Sequence, residues 1–408
     1  MWIILKSMNP LLESLQLYPF QKLTRLFENI VLSDASLTPI GLHIGEPRHN
    51  TPGFIRQELV NNLEGLAHYP TVLGTSQLRI SIANWLTQRY RLAAINPDTE
   101  VIPVNGSREA LFSFAQAVID ADAREVMQPV VVCQNPFYQI YEGAALLAGA
   151  EPYFLNQLPE NGFSVDAAQL PDSVWKRTQL TYICSPNNPT GKVLTLDEWQ
   201  LLFDLSDRYG FVIAADECYS EIYFNEDHPP LGALEAAEKL GRNGFPRLVV
   251  FSSLSKRSNV PGMRSGFVAG DAAILKKFLL YRTYHGGAMN PAVQAASTVA
   301  WGDEQHVVEN RRLYREKFAG AMRILGDTLP VSMPDAGFYL WLKVPVSGIE
   351  FSGRLYREGS VTVLPGSYLA REAHGLNPGE HFVRIALVAP VAECMEAMER
   401  IKDIARKF

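Results

Sequence analysis

From about Ile102 to Val268 the chain alternates short, almost wholly apolar runs with longer amphipathic stretches. Val101–Val104, Val130–Cys133, Leu180–Cys184, Phe211–Ala215 and Leu248–Phe251 are such runs, and Gly266–Gly270 is a weaker one. The intervening stretches have helical spacing. Thr195–Tyr209 opens on a threonine with Glu198 three residues later, the signature of a capping box at a helix start. Continuous apolar strands between helices predict a mostly parallel sheet covered on both faces. Ligands of such sheets bind at the carboxyl ends of the strands.

A second pattern starts near Pro291. A long helical stretch, Ala292–Leu325, leads into apolar runs at Phe338–Leu342, Val361–Leu364 and Phe382–Ala386, and a helix from Val391 to Phe408 closes the chain. Strands mixed with flanking helices predict a smaller α/β domain. The first forty residues have helical character at Lys22–Ile30 and are expected to pack with it. The expected division is residues 1–45 as an N-terminal segment, 46–291 as the large domain and 292–408 as the small one. No repeat or low-complexity linker separates them, so the boundary reads as a hinge.

Composition narrows the function. The chain has 408 residues, 47% hydrophobic and 20% charged, as in an ordinary globular protein large enough for more than one domain. A net charge of −6 without a Lys/Arg block argues against a nucleic-acid partner. No stretch approaches the ~18 apolar residues needed to span a bilayer. The run Met1–Lys6 is too short for a signal peptide, and Met8 opens a more protein-like segment, so residues 1–7 read as an upstream-start extension and the expected location is the cytoplasm. Cys133, Cys184, Cys218 and Cys394 form no CxxC pair; the first three fall in apolar, strand-like runs, and all read as reduced core residues. The histidines have no metal-binding spacing.

The chemistry-bearing residues follow the apolar runs. Lys256 comes just after Leu248–Phe251, with hydroxyls at Ser253 and Ser255 and a guanidinium at Arg264. A lysine at a strand end among phosphate-sized donors suits an enzyme that forms an imine with an aldehyde cofactor, although a solvated lysine in a serine-rich loop has the same local sequence. Ser185-Pro-Asn-Asn-Pro-Thr-Gly191 makes a rigid turn that fixes the Asn188 amide, or simply a turn. Asp216-Glu-Cys-Tyr219 puts a carboxylate where it could hold a pyridine nitrogen protonated, or a helix cap. Asn105-Gly-Ser-Arg-Glu-Ala110 offers the amides of Ser107 and Arg108 at a helix start, where an anion is favoured. Asn135-Pro-Phe-Tyr138 offers an aromatic face, or a core ring. Singly each is ordinary; jointly they supply every part of a site for a phosphorylated aromatic aldehyde.

In these motifs, and from Leu42-His-Ile-Gly-Glu-Pro47 to Phe382-Val-Arg-Ile385, the sequence resembles the class I/II aminotransferases, the fold type I enzymes of pyridoxal 5'-phosphate. The resemblance implies that Lys256 bonds the cofactor, Asp216 pairs with its pyridine nitrogen, Tyr219 and Asn188 reach its ring hydroxyl and Tyr138 stacks on it. Ser253, Ser255, Arg264 and the amides near Ser107 and Arg108 would take the phosphate. Arg384, with Asn188 and the Gly45 turn, would grip the substrate α-carboxylate. Tyr69 would reach the phosphate of a neighbouring subunit, which implies a homodimer with shared active sites.

Within that family, Met8–Glu13, Tyr18–Leu23 and Leu364–Gly375 resemble the bacterial succinyldiaminopimelate aminotransferases of lysine biosynthesis. That implies amino transfer from N-succinyl-LL-2,6-diaminopimelate to 2-oxoglutarate. A distal carboxylate calls for a second cation, with Arg25, Arg48 and Arg282 as candidates, each equally explained by a surface salt bridge. The alternatives are an aminotransferase for aspartate, aromatic or other amino acids, or a carbon–sulfur lyase using the same lysine, aspartate and tyrosine. A ligand-sensing regulator would need an added DNA-binding module, and no spare segment of ~60 residues supplies one.

Overall fold

The computed structural model describes residues 8–122 and 127–408; the proposed upstream extension, residues 1–7, lies outside the described residues. Twelve strands occur in chain order among them: β1 Ile40–Gly41, β2 Val101–Val104, β3 Val130–Asn135, β4 Glu151–Asn156, β5 Thr178–Cys184, β6 Val212–Asp216, β7 Leu248–Ser253, β8 Gly266–Gly270, β9 Tyr339–Lys343, β10 Val361–Thr362, β11 Leu364–Pro365 and β12 Phe382–Ala386. Seven form one sheet in the order β2-β8-β7-β6-β5-β3-β4. All its neighbours run parallel except β8, which is antiparallel to both β2 and β7. The expected α/β architecture with a mostly parallel sheet is the one observed.

Both faces of this sheet are buried, which is why its strands read as unbroken apolar runs. Along β7, Leu248 and Val250 enter one core and Val249 and Phe251 the opposite one. The first core is covered by Ser76–Tyr90, Leu196–Tyr209 and Pro291–Trp301, the second by Ser107–Val118, Ile140–Ala148 and Ala272–His285. The Thr195–Glu198 capping box forms as predicted. β4 has no counterpart in the sequence reading. It is an edge strand, carries a proline and is mostly half-buried, so it lacks a continuous apolar signature.

The long helical pattern from Ala292 to Leu325 is two helices, Pro291–Trp301 and Gln305–Leu325, separated at Gly302. The first buries Ala296, Ala300 and Trp301 in a core of the large sheet, although its sequence position suggested the small domain. The second supplies Phe318, Ala321 and Leu325 to another core, built on the sheet β11-β12-β9 and the helices Gly348–Gly359 and Val391–Ala405. The apolar run Val361–Leu364 also divides: β10 pairs with β1, and β11 pairs with β12. Ile40 and Leu42 thereby join that core, while Leu23, on the helix Pro19–Phe27, packs with Leu364 and Leu369.

Gly266 opens β8, the strand next to the β2 edge of the large sheet. It pairs with Ser253 on one side and Val104 on the other. A Cβ there would lie 2.4 Å from the Ser252 carbonyl oxygen. Gly266→Ala should therefore destabilise the protein by about 1–3 kcal/mol through overpacking against backbone. Gly53→Ala, where a Cβ meets nothing within 4 Å, should change stability by about 0.5 kcal/mol at most. Denaturation midpoints of the two variants check the pair.

Candidate active site

The carboxyl ends of β5, β6 and β7 open into a cavity of about 410 Å³. It is lined by Lys256, Asp216, Tyr219, Asn188, Arg264 and Arg384, together with Ser107, Arg108, Tyr138, Ser253, Ser255 and Gly45. The structure thus brings together residues that the sequence scatters from Gly45 to Arg384. Of the residues assigned to cofactor or α-carboxylate binding, Tyr69 stands apart, fully exposed and outside the cavity of its own protomer.

One side of the cavity is a cradle for an anion. The pairing of Gly266 with both Ser253 and Val104 sets the end of β7 beside the start of the helix Ser107–Val118. The first amides of a helix have no acceptor within it, and they carry its positive dipole end. Gly106 precedes them with φ +81°, and a Cβ there would come 2.3 Å from Arg264 Nη2. Only glycine allows the guanidinium to lie flat on this turn. Ser253 Oγ donates to the Ser265 carbonyl (2.8 Å), accepts from Ser255 N (3.1 Å) and lies 2.9 Å from Ser255 Oγ. Arg264 Nη1 is held by the Pro261 carbonyl at 2.8 Å and lies 3.5 Å from Ser255 Oγ.

Lys256 stands beside this cradle in the short helix Leu254–Arg257, and its Nζ donates to the Gly45 carbonyl at 2.8 Å. Withdrawal from water, helped by the Arg264 and Arg384 charges, lowers its pKa from the usual lysine range to about 8. Asp216 lies deeper, with one carboxylate oxygen accepting from Tyr141 Oη (2.7 Å) and the other from Cys218 N (3.2 Å). Burial pushes its carboxyl up, and those hydrogen bonds oppose the shift. Tyr219 Oη is 3.0 Å from Tyr339 Oη. Burial raises the pKa of Tyr219 well above that of a free phenol.

At the other side, Arg384 comes from β12. Its Nη1 donates to Asn188 Oδ1 at 2.9 Å and its Nη2 to the His43 carbonyl at 2.7 Å, and its guanidinium lies 4.4 Å from the centre of the Tyr339 ring. Its Nε is buried without an acceptor. Gly45 is forced here, since a Cβ would fall 1.9 Å from Tyr339 Oη. Arg108 points along the cavity wall, where Nε donates to Tyr138 Oη (2.5 Å) and Nη2 to Tyr18 Oη (3.3 Å).

Several participants carry no sequence signal. Tyr141 reads as one apolar residue of a helix, and Tyr339 as one residue of a strand. Cys218 lies two residues beyond the end of β6 rather than within a strand-like run, and its thiol donates to Ser107 Oγ at 2.9 Å inside the cavity. The four cysteines are free, as expected. The candidates for a distal cation lie elsewhere. Arg282 is buried and bound to Glu109 (2.6 Å) and the Gly287 carbonyl, and Arg48 is bound to Glu393 (3.1 Å). Arg25 is exposed on the helix Pro19–Phe27. Their proximity in sequence to site motifs says nothing about where their side chains reach. Among the described residues no metal-binding cluster is present, and no helix is long and apolar enough to cross a membrane.

Known proteins share this arrangement of chain. Residues 38–401 match the model for aminotransferase class I and II. The LL-diaminopimelate aminotransferase of Aquifex aeolicus is 32% identical over 90% of this chain and 91% of its own length. A solved aminotransferase from Neisseria meningitidis has a TM-score of 0.94 and 52% identity, covering 98% of this chain and 100% of that one. Aminotransferase AspB from Helicobacter pylori has a TM-score of 0.88 and 34% identity, covering 97% and 100%. The chain belongs to the class I and II aminotransferases, and its cofactor is pyridoxal phosphate. The residues present fit that group. They offer an anion cradle of amides, hydroxyls and a guanidinium, an amine of lowered pKa beside it, and a buried carboxylate.

The lowered pKa of Lys256 has a direct test. In cofactor-free protein, an amine-selective reagent should label Lys256 with a rate that rises with pH and levels off above about 8, as the neutral amine accumulates. Exposed lysines should continue to gain reactivity towards about 10.4.

Proposed function

We propose that the enzyme moves the amino group of N-succinyl-LL-2,6-diaminopimelate to 2-oxoglutarate, giving glutamate, in two half-reactions at one site. The observation that carries a two-ended acidic substrate is Arg108. It lines the cavity, and its side-chain hydrogen-bond partners among the described residues are two phenols rather than a carboxylate. Arg384, with Nε buried and unmet, takes the α-carboxylate at the reacting end. Arg108 then takes the place of the distal cation sought among Arg25, Arg48 and Arg282.

Bound pyridoxal phosphate supplies an aldehyde that captures amines and a pyridine ring that draws electrons from the substrate. The chain supplies the rest. Ser253, Ser255, Arg264 and the first amides of the Ser107–Val118 helix hold the phosphate. Asp216, fixed by Tyr141, would keep a proton on the pyridine nitrogen, Tyr219 and Asn188 would hold the ring hydroxyl, and Tyr138 would stack on the ring. Lys256 Nζ, neutral in part near pH 7, removes the proton from the substrate Cα. Tyr69, fully exposed in its own protomer, would serve the site of a second copy in a homodimer.

A second reading is free LL-diaminopimelate as the donor, favoured by the substrate in the name of the Aquifex aeolicus relative. Holoenzyme mixed with the succinylated donor, without an oxo acid, should lose its pyridoxal absorbance and gain that of pyridoxamine. A higher kcat/KM for the free diamine would establish the second reading, and release of pyruvate and ammonia from cysteine would mark a lyase instead. Arg108→Ala should raise KM for the favoured donor about 10–100-fold, the loss expected for a hydrogen bond to a charged group. Alanine, which has no distal carboxylate, should be affected far less.

A further inference from the structure

Behind Lys256, on the side away from the cavity, runs a chain of polar groups, all buried except the half-buried His49. Asn310 Nδ2, on the helix Gln305–Leu325, donates to the carbonyls of Lys256 (3.2 Å) and Arg257 (3.3 Å). Asn310 Oδ1 lies 2.7 Å from His49 Nδ1 and accepts from Asn259 Nδ2 at 3.1 Å. His49 Nε2 lies 2.6 Å from Lys317 Nζ, which also donates to the Val388 carbonyl at 3.3 Å. Asn310 and Lys317 are each 1% exposed.

The donors and acceptors in this chain permit one direction. The two carbonyls only accept, so the Asn310 amide must present its NH₂ to them and its oxygen to His49. His49 must therefore carry its proton on Nδ1 and accept at Nε2, and Lys317 must donate there. The surroundings agree: burial, aided by the Lys317 charge, lowers the His49 pKa to about 4 and keeps the ring neutral. None of the hydrogen-bond partners of Lys317 is a carboxylate. A buried amine held this way gains little stability over an apolar side chain of similar size. In the turn it serves, Asn259, three residues after Lys256, has φ +53°, left-handed backbone that asparagine adopts more readily than most non-glycine residues. Thr51 Oγ1 adds a bond to the Asn259 carbonyl at 2.9 Å.

We infer that Lys317, His49 and Asn310 are positioning residues of the transamination reaction, a directed hydrogen-bond chain that fixes the main chain of Lys256 so that its Nζ meets the substrate Cα. The inference rests on Lys256 being the reactive amine, which Lys256→Ala tests separately. If that variant still bound the cofactor covalently, the reading of the site would fail whatever Asn310 did. With the backbone carbonyl tied to Asn310 and Nζ directed to the Gly45 carbonyl, the side chain is held at both ends. Misplacement by about 1 Å of a group that transfers a proton is enough to cost on the order of 10²-fold in rate.

The test uses holoenzyme variants Asn310→Ala, His49→Leu and His49→Gln. Glutamine can accept from Lys317 and donate to Asn310, so it preserves the direction of the chain; leucine does neither. Asn310→Ala and His49→Leu should lower kcat by about 10–100-fold, with KM for both substrates and cofactor affinity within threefold or so of wild type. His49→Gln should recover most of that loss. In cofactor-free protein, the pH profile for labelling Lys256 should shift in Asn310→Ala and not in His49→Gln. A kcat for Asn310→Ala within about twofold of wild type, an unshifted labelling profile, or a His49→Gln no better than His49→Leu would each overturn the proposal.

Discussion

The site depends on the antiparallel placement of β8 between β7 and β2. Because β8 is antiparallel to both, β7 and β2 run in the same direction, and the end of β7 and the helix start that follows β2 lie at the same edge of the sheet. Gly266 bridges the two ends, pairing with Ser253 on one side and Val104 on the other. The first turn of the Ser107–Val118 helix, the Ser253–Ser255 hydroxyls and Arg264 then converge on one point. The close approach of the Gly266 backbone to Ser252 is what this convergence requires sterically. Everything chemical in the cavity is oriented relative to that cradle.

The balance of charge follows from the same arrangement. Lys256, Arg108, Arg264 and Arg384 line the cavity, as do Glu46 and Asp216, and Asp216 is the one committed to internal hydrogen bonds with Tyr141 and Cys218. A surplus of cations with low-dielectric walls favours anions there, and burial, with the Arg264 and Arg384 charges adding to it, lowers the pKa of the one amine among them. The net charge of the whole chain, −6, conceals this local reversal of sign.

Much of this was legible in the sequence where a residue's role follows from its place on the backbone. The strands buried on both faces announced themselves as unbroken apolar runs, and Lys256, Asp216 and Asn188 stood just beyond them. The misses share a different physics. β4 is half-buried at an edge and carries no run, and Gly302 interrupts a helical pattern that periodicity alone carries straight through. Tyr141 and Tyr339 act through hydroxyls at the tips of otherwise apolar side chains, so their positions read as core. Arg282 and Arg48 are satisfied by Glu109 and Glu393, partners far away in the chain, and no local pattern distinguishes them from Arg108.

The pairing of β1 with β10 ties the order of synthesis to the order of folding. All seven strands of the large sheet have been made once Gly270 is reached, so that sheet has its full set of strands while the ribosome is still working. Ile40 and Leu42, made far earlier, have their core partners on Leu340, Val361 and Val383 and must wait for them. For that interval the nascent chain carries an unsheltered apolar segment at its leading end, beside an almost finished domain. The period in which this protein is most exposed to aggregation is therefore set by translation of its last third, and chaperone protection would matter there more than during formation of the sheet that carries the chemistry.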